Sequence, residues 1–126
     1  MTNLLAIAFG GAVGALGRHF VAGQITHYFG TGFPLGTLTV NVLGSFIMGC
    51  LIELMALAWS PGSEIRSFLT VGMLGAFTTF STFSLEAVLL AERGQFVAML
   101  AYVLLSVVLS VGALFLAMQL LRAALV

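Results

Sequence analysis

The sequence predicts an all-α membrane protein of four transmembrane helices, the third of them broken. Composition is the first reason. The 126 residues are 61% hydrophobic and 6% charged, with a mean hydropathy of +1.21, whereas a soluble domain is about a quarter charged. The second reason is the arrangement of that apolarity. Four stretches, roughly 4–28, 36–58, 66–91 and 96–122, each reach or exceed the ~20 residues a bilayer requires. The third is the run Gly75-Ala76-Phe77-Thr78-Thr79-Phe80-Ser81-Thr82-Phe83-Ser84, which sets glycine and hydroxyls where lipid favours Leu and Ile. Hydrocarbon offers no water to loose backbone groups. Non-helical backbone at that depth survives only where protein buries it or a polar cavity touches it.

The connections fit this frame. Phe29-Gly30-Thr31-Gly32-Phe33-Pro34, Trp59-Ser60-Pro61-Gly62-Ser63-Glu64 and Glu92-Arg93-Gly94-Gln95 are rich in turn residues, and Trp59 suits a membrane interface. None is long enough for a soluble domain, so residues 1–126 read as one transmembrane domain. The N-terminus has no basic side chain, and no cleaved leader is expected. Net charge is zero, and nothing points to nucleic acid. The lone Cys50 reads as a small packing residue and rules out an intrachain disulfide. His19 and His27 have no partner at metal spacing, and no residue set supports enzyme chemistry or nucleotide binding.

Arg66 and Arg122 fall on one side of the membrane, and Arg18 and Arg93 toward the other. The positive-inside rule is therefore tied. Either copies insert both ways up, or the arginines are too few to decide. A bundle this small fills its own centre with side chains, so a transport route would run between subunits or along a groove. A dimer is the simplest closed assembly, antiparallel if both orientations occur.

The first stretch carries Gly10, Gly14 and Gly17 at helical spacing, with Gly11 beside them. Small residues at that spacing let backbones approach closely, and packing explains them. Arg18 follows at once, either snorkelling to the interface or facing an aqueous vestibule. In the second stretch Thr37, Asn41 and Ser45 share one helix face. The Asn41 amide needs partners for two donors and an acceptor. Those are an interhelical hydrogen bond or, as the aligned hydroxyls suggest, an anion path. Glu53 receives no role. In the fourth stretch Tyr102, Ser106 and Ser110 form a second stripe at the same spacing.

In the third stretch Phe80 and Phe83 lie on one face, with Phe77 a turn earlier. Rings presented edge-on solvate a small anion without a cation that would trap it. Thr78, Thr79, Ser81, Thr82 and Ser84 are interleaved with these rings, more hydroxyls than packing asks for, and Glu86 follows. The break also frees carbonyls around Gly75 to Thr78 for a hard cation such as Na⁺, while the next half-helix turns its N-terminus toward an anion.

The chain resembles the Fluc (CrcB) fluoride channels over essentially its whole length. The resemblance rests on Gly10-Gly11, Gly14-Ala15 and Arg18, on Gly36-Thr37-Leu38, Val40-Asn41 and Gly44, and on Gly75 to Phe83 with Ser84 and Glu86. The string from Thr78 to Ser84 is its most specific part. It implies a fluoride-selective passive channel in the prokaryotic inner membrane, exporting cytoplasmic fluoride and lowering its toxicity. It also implies a dual-topology antiparallel homodimer with a structural Na⁺ on the two-fold axis, held by the carbonyls of Gly75 and Thr78. Phe80 and Phe83 would border the ion path with Asn41 near them, Tyr102, Ser106 and Ser110 would form a polar track, and Arg18 would face a vestibule. Ser81, Thr82 and Ser84 are further donors by the same resemblance. The competing readings are a small proton-coupled multidrug exporter, which requires a carboxylate deep in the membrane, and a non-transporting assembly subunit, which leaves the broken helix without a purpose.

Overall fold

In the computed structural model, which describes all 126 residues, the chain is entirely helical. Helix α1 spans Thr2–Phe29 and α2 spans Leu35–Leu57. Helix α3 covers 63–77, α4 Phe80–Glu92 and α5 Phe96–Leu125. The third stretch is thus two half-helices, α3 and α4, meeting at Thr78 and Thr79. Counting those halves as one membrane crossing, four helical spans are long and apolar enough to cross a bilayer. Only 16 of 126 residues are buried, and the long exposed rows of Leu, Val and Phe make sense only against lipid or another protein surface.

The ends are set by local chemistry. Helix α1 stops at Gly30, whose φ of 83° favours glycine and whose N–H returns to the Thr26 carbonyl. Pro34 precedes α2 where no N–H is needed. Gly94, at φ 77°, turns the chain between α4 and α5.

Glycine lets the helices cross closely. A β-carbon on Gly10 or Gly14 of α1 would collide with the backbone carbonyls of Phe68 and Met73 in α3, and one on Gly72 would lie 2.7 Å from the Ile7 carbonyl. Backbone meets backbone there, as the glycine spacing in the first stretch predicts. Gly11 faces open space and takes no part, and Gly17 receives the Phe77 ring. Over the same crossing, Ser67–Leu74 adopts π-helical geometry. This wider winding, frequent at functional sites, leads directly into the break and is not visible in the residue pattern. On the opposite side, Gly49 of α2 admits the backbone of Leu114 in α5. A core of Leu38, Leu90 and Tyr102, flanked by Phe33 and Phe83, joins α2, α4 and α5.

One interhelical contact has no precursor in the sequence reading. The Glu53 carboxylate is buried, and Arg122 of α5 grips it through Nε at 3.0 Å and Nη2 at 3.2 Å. The arginine keeps half its side-chain surface exposed.

Candidate functional site

The break is narrower than the sequence implies. Gly75–Phe77 still forms a helical turn, and only Thr78 (φ −90°, ψ 159°) and Thr79 (φ −151°, ψ 123°) are extended. Two extended residues suffice to end one helix and begin another. Gly44 of α2 makes room for them, since a β-carbon there would strike the Thr78 methyl.

Asn41 holds the break open. Its Oδ1 accepts the Thr79 N–H at 2.8 Å, and its Nδ2 donates to the Thr79 carbonyl at 3.0 Å. In an unbroken helix the Thr79 N–H would bond the Gly75 carbonyl, four residues back. Asn41 takes that donor away, so no chain donor reaches the Gly75 carbonyl. The same substitution occurs one turn on. The Thr82 N–H, which would have bonded the Thr78 carbonyl, goes instead to the Thr79 hydroxyl at 3.1 Å. The Thr78 carbonyl is likewise left without a donor. Thr79 is thereby the N-cap of α4, and the N–H groups of Phe80 and Ser81, in its first turn, have no helical acceptor.

Two cavities flank this junction. The larger, about 580 Å³, is a vestibule lined by Arg18, His19, Thr37, Thr82, Glu86 and Arg93 among others. Arg18 lines this larger cavity, and its Nε donates to the Ala76 carbonyl at 3.1 Å, closing the end of α3. Glu86 accepts the Tyr102 hydroxyl at 3.1 Å. The smaller cavity, about 260 Å³, is lined by Asn41, Ser45, Thr78, Thr79, Phe80, Phe83, Ser106, Val107 and Ser110. The hydroxyls of Ser106 and Ser110 are buried and have no hydrogen-bond partner. A helical Ser commonly satisfies itself on its own preceding turn, and these two do not. Unpaired buried donors are costly, so a ligand acceptor in this cavity would be strongly welcomed. The rings of Phe80 and Phe83 lie 5.5 Å apart at its edge, and Phe83 packs 5.1 Å from Tyr102.

The structure therefore gathers Asn41, Phe80, Phe83, Ser106 and Ser110 in one cavity. Arg18 and Thr82 are in the vestibule, and buried Tyr102 contacts Glu86 and Phe83. Ser84 lies in neither cavity and donates to the Phe80 carbonyl at 2.9 Å. Ser81 is outside both as well, with its hydroxyl 3.5 Å from that of Thr79. Phe77 is turned away from the other two rings and packs between Gly17 and Gly44.

Residues 5–118 match the family described as "CrcB-like protein, Camphor Resistance (CrcB)". This chain belongs to the CrcB family. It is 51% identical over 124 residues to the "Fluoride-specific ion channel FluC" of Rhodospirillum centenum, covering 98% of each chain. It is 51% identical over 122 residues to the protein of the same name from Chelativorans sp., covering 97% of this chain and 98% of the relative. A third such relative, from Vibrio cholerae, is 52% identical over 107 residues, 85% of each chain. In this CrcB chain, sequence reasoning left Glu53 without a role and gave Thr79 none of its own. The signal for Thr79 was present: a hydroxylated residue three positions before Thr82, at the start of a helix, is an N-cap candidate.

Proposed function

We propose that the chain is a fluoride-selective, passive ion channel that lets cytoplasmic fluoride leave down its electrochemical gradient. The observation that carries this reading is the pair of buried, unpartnered hydroxyls of Ser106 and Ser110 in the same cavity as Asn41, Phe80 and Phe83. Together with relatives named as fluoride channels, it points to a small, strongly hydrated anion whose water shell is replaced by fixed donors.

Each part has a task. Arg18 and Arg93 give the vestibule two cations, which raise the local anion concentration. Beyond them, no cation lines the smaller cavity. Donors there are hydroxyls, the second Asn41 amide hydrogen and ring edges, strong enough to replace hydration and too weak to hold the ion. Neutral hydrogen fluoride enters a cell and dissociates near neutral pH, and the anion is trapped. An inside-negative potential then drives it out, at about 2.3 kcal/mol per charge per 100 mV. Export by this route lowers fluoride toxicity. The bacterial relatives support a place in the inner (plasma) membrane.

The functional unit in this reading is an antiparallel homodimer of copies inserted both ways up. The tied arginine count supports this, as does Phe80, a large ring left 77% exposed at the cavity edge. A structural Na⁺ fits the chemistry of the break. The carbonyls of Gly75 and Thr78 have no hydrogen-bond donor, they are hard oxygens, and Gly75 is exposed. A second copy across a two-fold axis would double that set, and the ion would pin the two breaks together.

The multidrug-exporter reading finds little support. Its required deep carboxylate would have to be Glu53 or Glu86, and these are held by Arg122 and the Tyr102 hydroxyl. The two mechanisms separate in liposomes. A passive channel carries fluoride current that reverses at the fluoride equilibrium potential whatever the pH gradient. Reversal that moves with an imposed pH gradient would contradict the channel.

A further inference from the structure

Thr79 is the one residue that lines both cavities. It stands between the vestibule, with Arg18 and Arg93, and the smaller cavity, with the unpartnered Ser106 and Ser110 hydroxyls. Its position is fixed from two sides. Asn41 grips its N–H and its carbonyl, at 2.8 and 3.0 Å. Its side-chain oxygen accepts the Thr82 N–H at 3.1 Å, which occupies a lone pair and leaves the hydroxyl hydrogen to point elsewhere. The other polar atom near it is the Ser81 hydroxyl, 3.5 Å away, at the outer limit of a hydrogen bond.

We propose that the Thr79 hydroxyl is the threshold donor of the pathway, the group that takes the anion from the cationic vestibule and passes it to the Ser106 and Ser110 hydroxyls. This rests on the channel reading above. The physical need is clear. An anion leaving the arginines sheds water before it reaches the buried serines, and every step without a donor is a barrier. A donor held rigidly at the boundary lowers that barrier, and Asn41 supplies the rigidity. Asn41 in this view acts through Thr79 as well as lining the cavity. The capping bond has a second use, because an oxygen already engaged as acceptor presents its hydrogen and not its lone pair to an incoming anion.

The test exploits the fact that Asn and Asp cap helices about equally well and have nearly the same shape. If Thr79 only caps α4, T79N and T79D should conduct fluoride alike. If it is the threshold donor, the Asn amide still offers hydrogen and the Asp carboxylate repels the ion. The expected result is fluoride efflux from liposomes at least tenfold slower for T79D than for T79N. Both should share the same gel-filtration profile and a melting temperature close to that of the unaltered protein. Equal efflux through the two variants overturns the proposal. Should both be silent, T79S and T79V decide. The hydroxyl-bearing T79S must then conduct faster than the shape-matched T79V, and equal rates overturn the proposal. The unaltered protein is run beside them. If it releases no fluoride, the channel reading itself fails, an outcome distinct from indifference to residue 79.

Discussion

Replacing Asn41 by alanine should close the break that Asn41 holds open. The side chain makes two hydrogen bonds to one residue, at 2.8 Å to the Thr79 N–H and 3.0 Å to its carbonyl. Each is worth about 0.5–1.5 kcal/mol net, so their joint loss costs about 1–3 kcal/mol if nothing compensates. Compensation is available for one of them only. The freed Thr79 N–H can return to the Gly75 carbonyl, its helical acceptor. The Thr79 carbonyl, at a part-buried position, gains nothing in exchange. The net destabilisation should therefore fall near the lower half of that range, about 1–1.5 kcal/mol. The functional loss should be far larger than the stability loss. A rewound helix consumes the Gly75 carbonyl, displaces Thr79 and moves the capped start of α4. N41A is expected to unfold at lower denaturant and to release fluoride from liposomes at least a hundredfold more slowly. Any stabilisation of the protein by Na⁺ should weaken in the same variant, because one of the two freed carbonyls is gone. A variant with unaltered fluoride release would refute the reasoning, whatever its stability.

Other outcomes follow from the same contacts. Removing the Ser106 and Ser110 hydroxyls together, as S106A/S110A, should slow fluoride efflux by tenfold or more while raising or preserving stability, since two unpaired buried donors are deleted. The Glu53–Arg122 pair should be asymmetric. R122A strands a buried carboxylate and should destabilise more than E53Q, which leaves a half-exposed arginine free to reach water, and a denaturation series on the two variants measures the difference. G14V should abolish the folded protein because α1 and α3 cross backbone to backbone there, while G11A, in open space on the same helix, should express and fold normally.

The helical spans and the existence of a break could be read from the residues because each depends on local pattern. Apolar length gives the spans, and a cluster of hydroxyls around Gly75 to Ser84 marks where a helix fails in lipid. Periodicity also placed Ser106 and Ser110 on a common face, and the structure sets that face against the broken helix. The extent of the break was less legible. Six hydroxyl and glycine positions suggest a long unwound stretch, but only Thr78 and Thr79 leave the helix, because Asn41, 38 residues away in sequence, satisfies both backbone groups of Thr79. Phe77 shows the same limit. Its spacing from Phe80 suggests a shared face, yet the two intervening extended residues rotate it toward Gly17 and Gly44. Glu53 and Arg122 are 69 positions apart, and no local pattern foretells their pairing. The π-helical winding of Ser67–Leu74 answers to the close crossing at Gly10, Gly14 and Gly72, which exists only once the helices are packed.

The most direct measurement is ion release from liposomes holding the purified protein, with fluoride and chloride electrodes run in parallel and valinomycin added to clear the charge. The account predicts rapid fluoride release that waits for valinomycin, with chloride release indistinguishable from protein-free liposomes. Comparable release of both anions, or no fluoride release from verified folded protein, would contradict it.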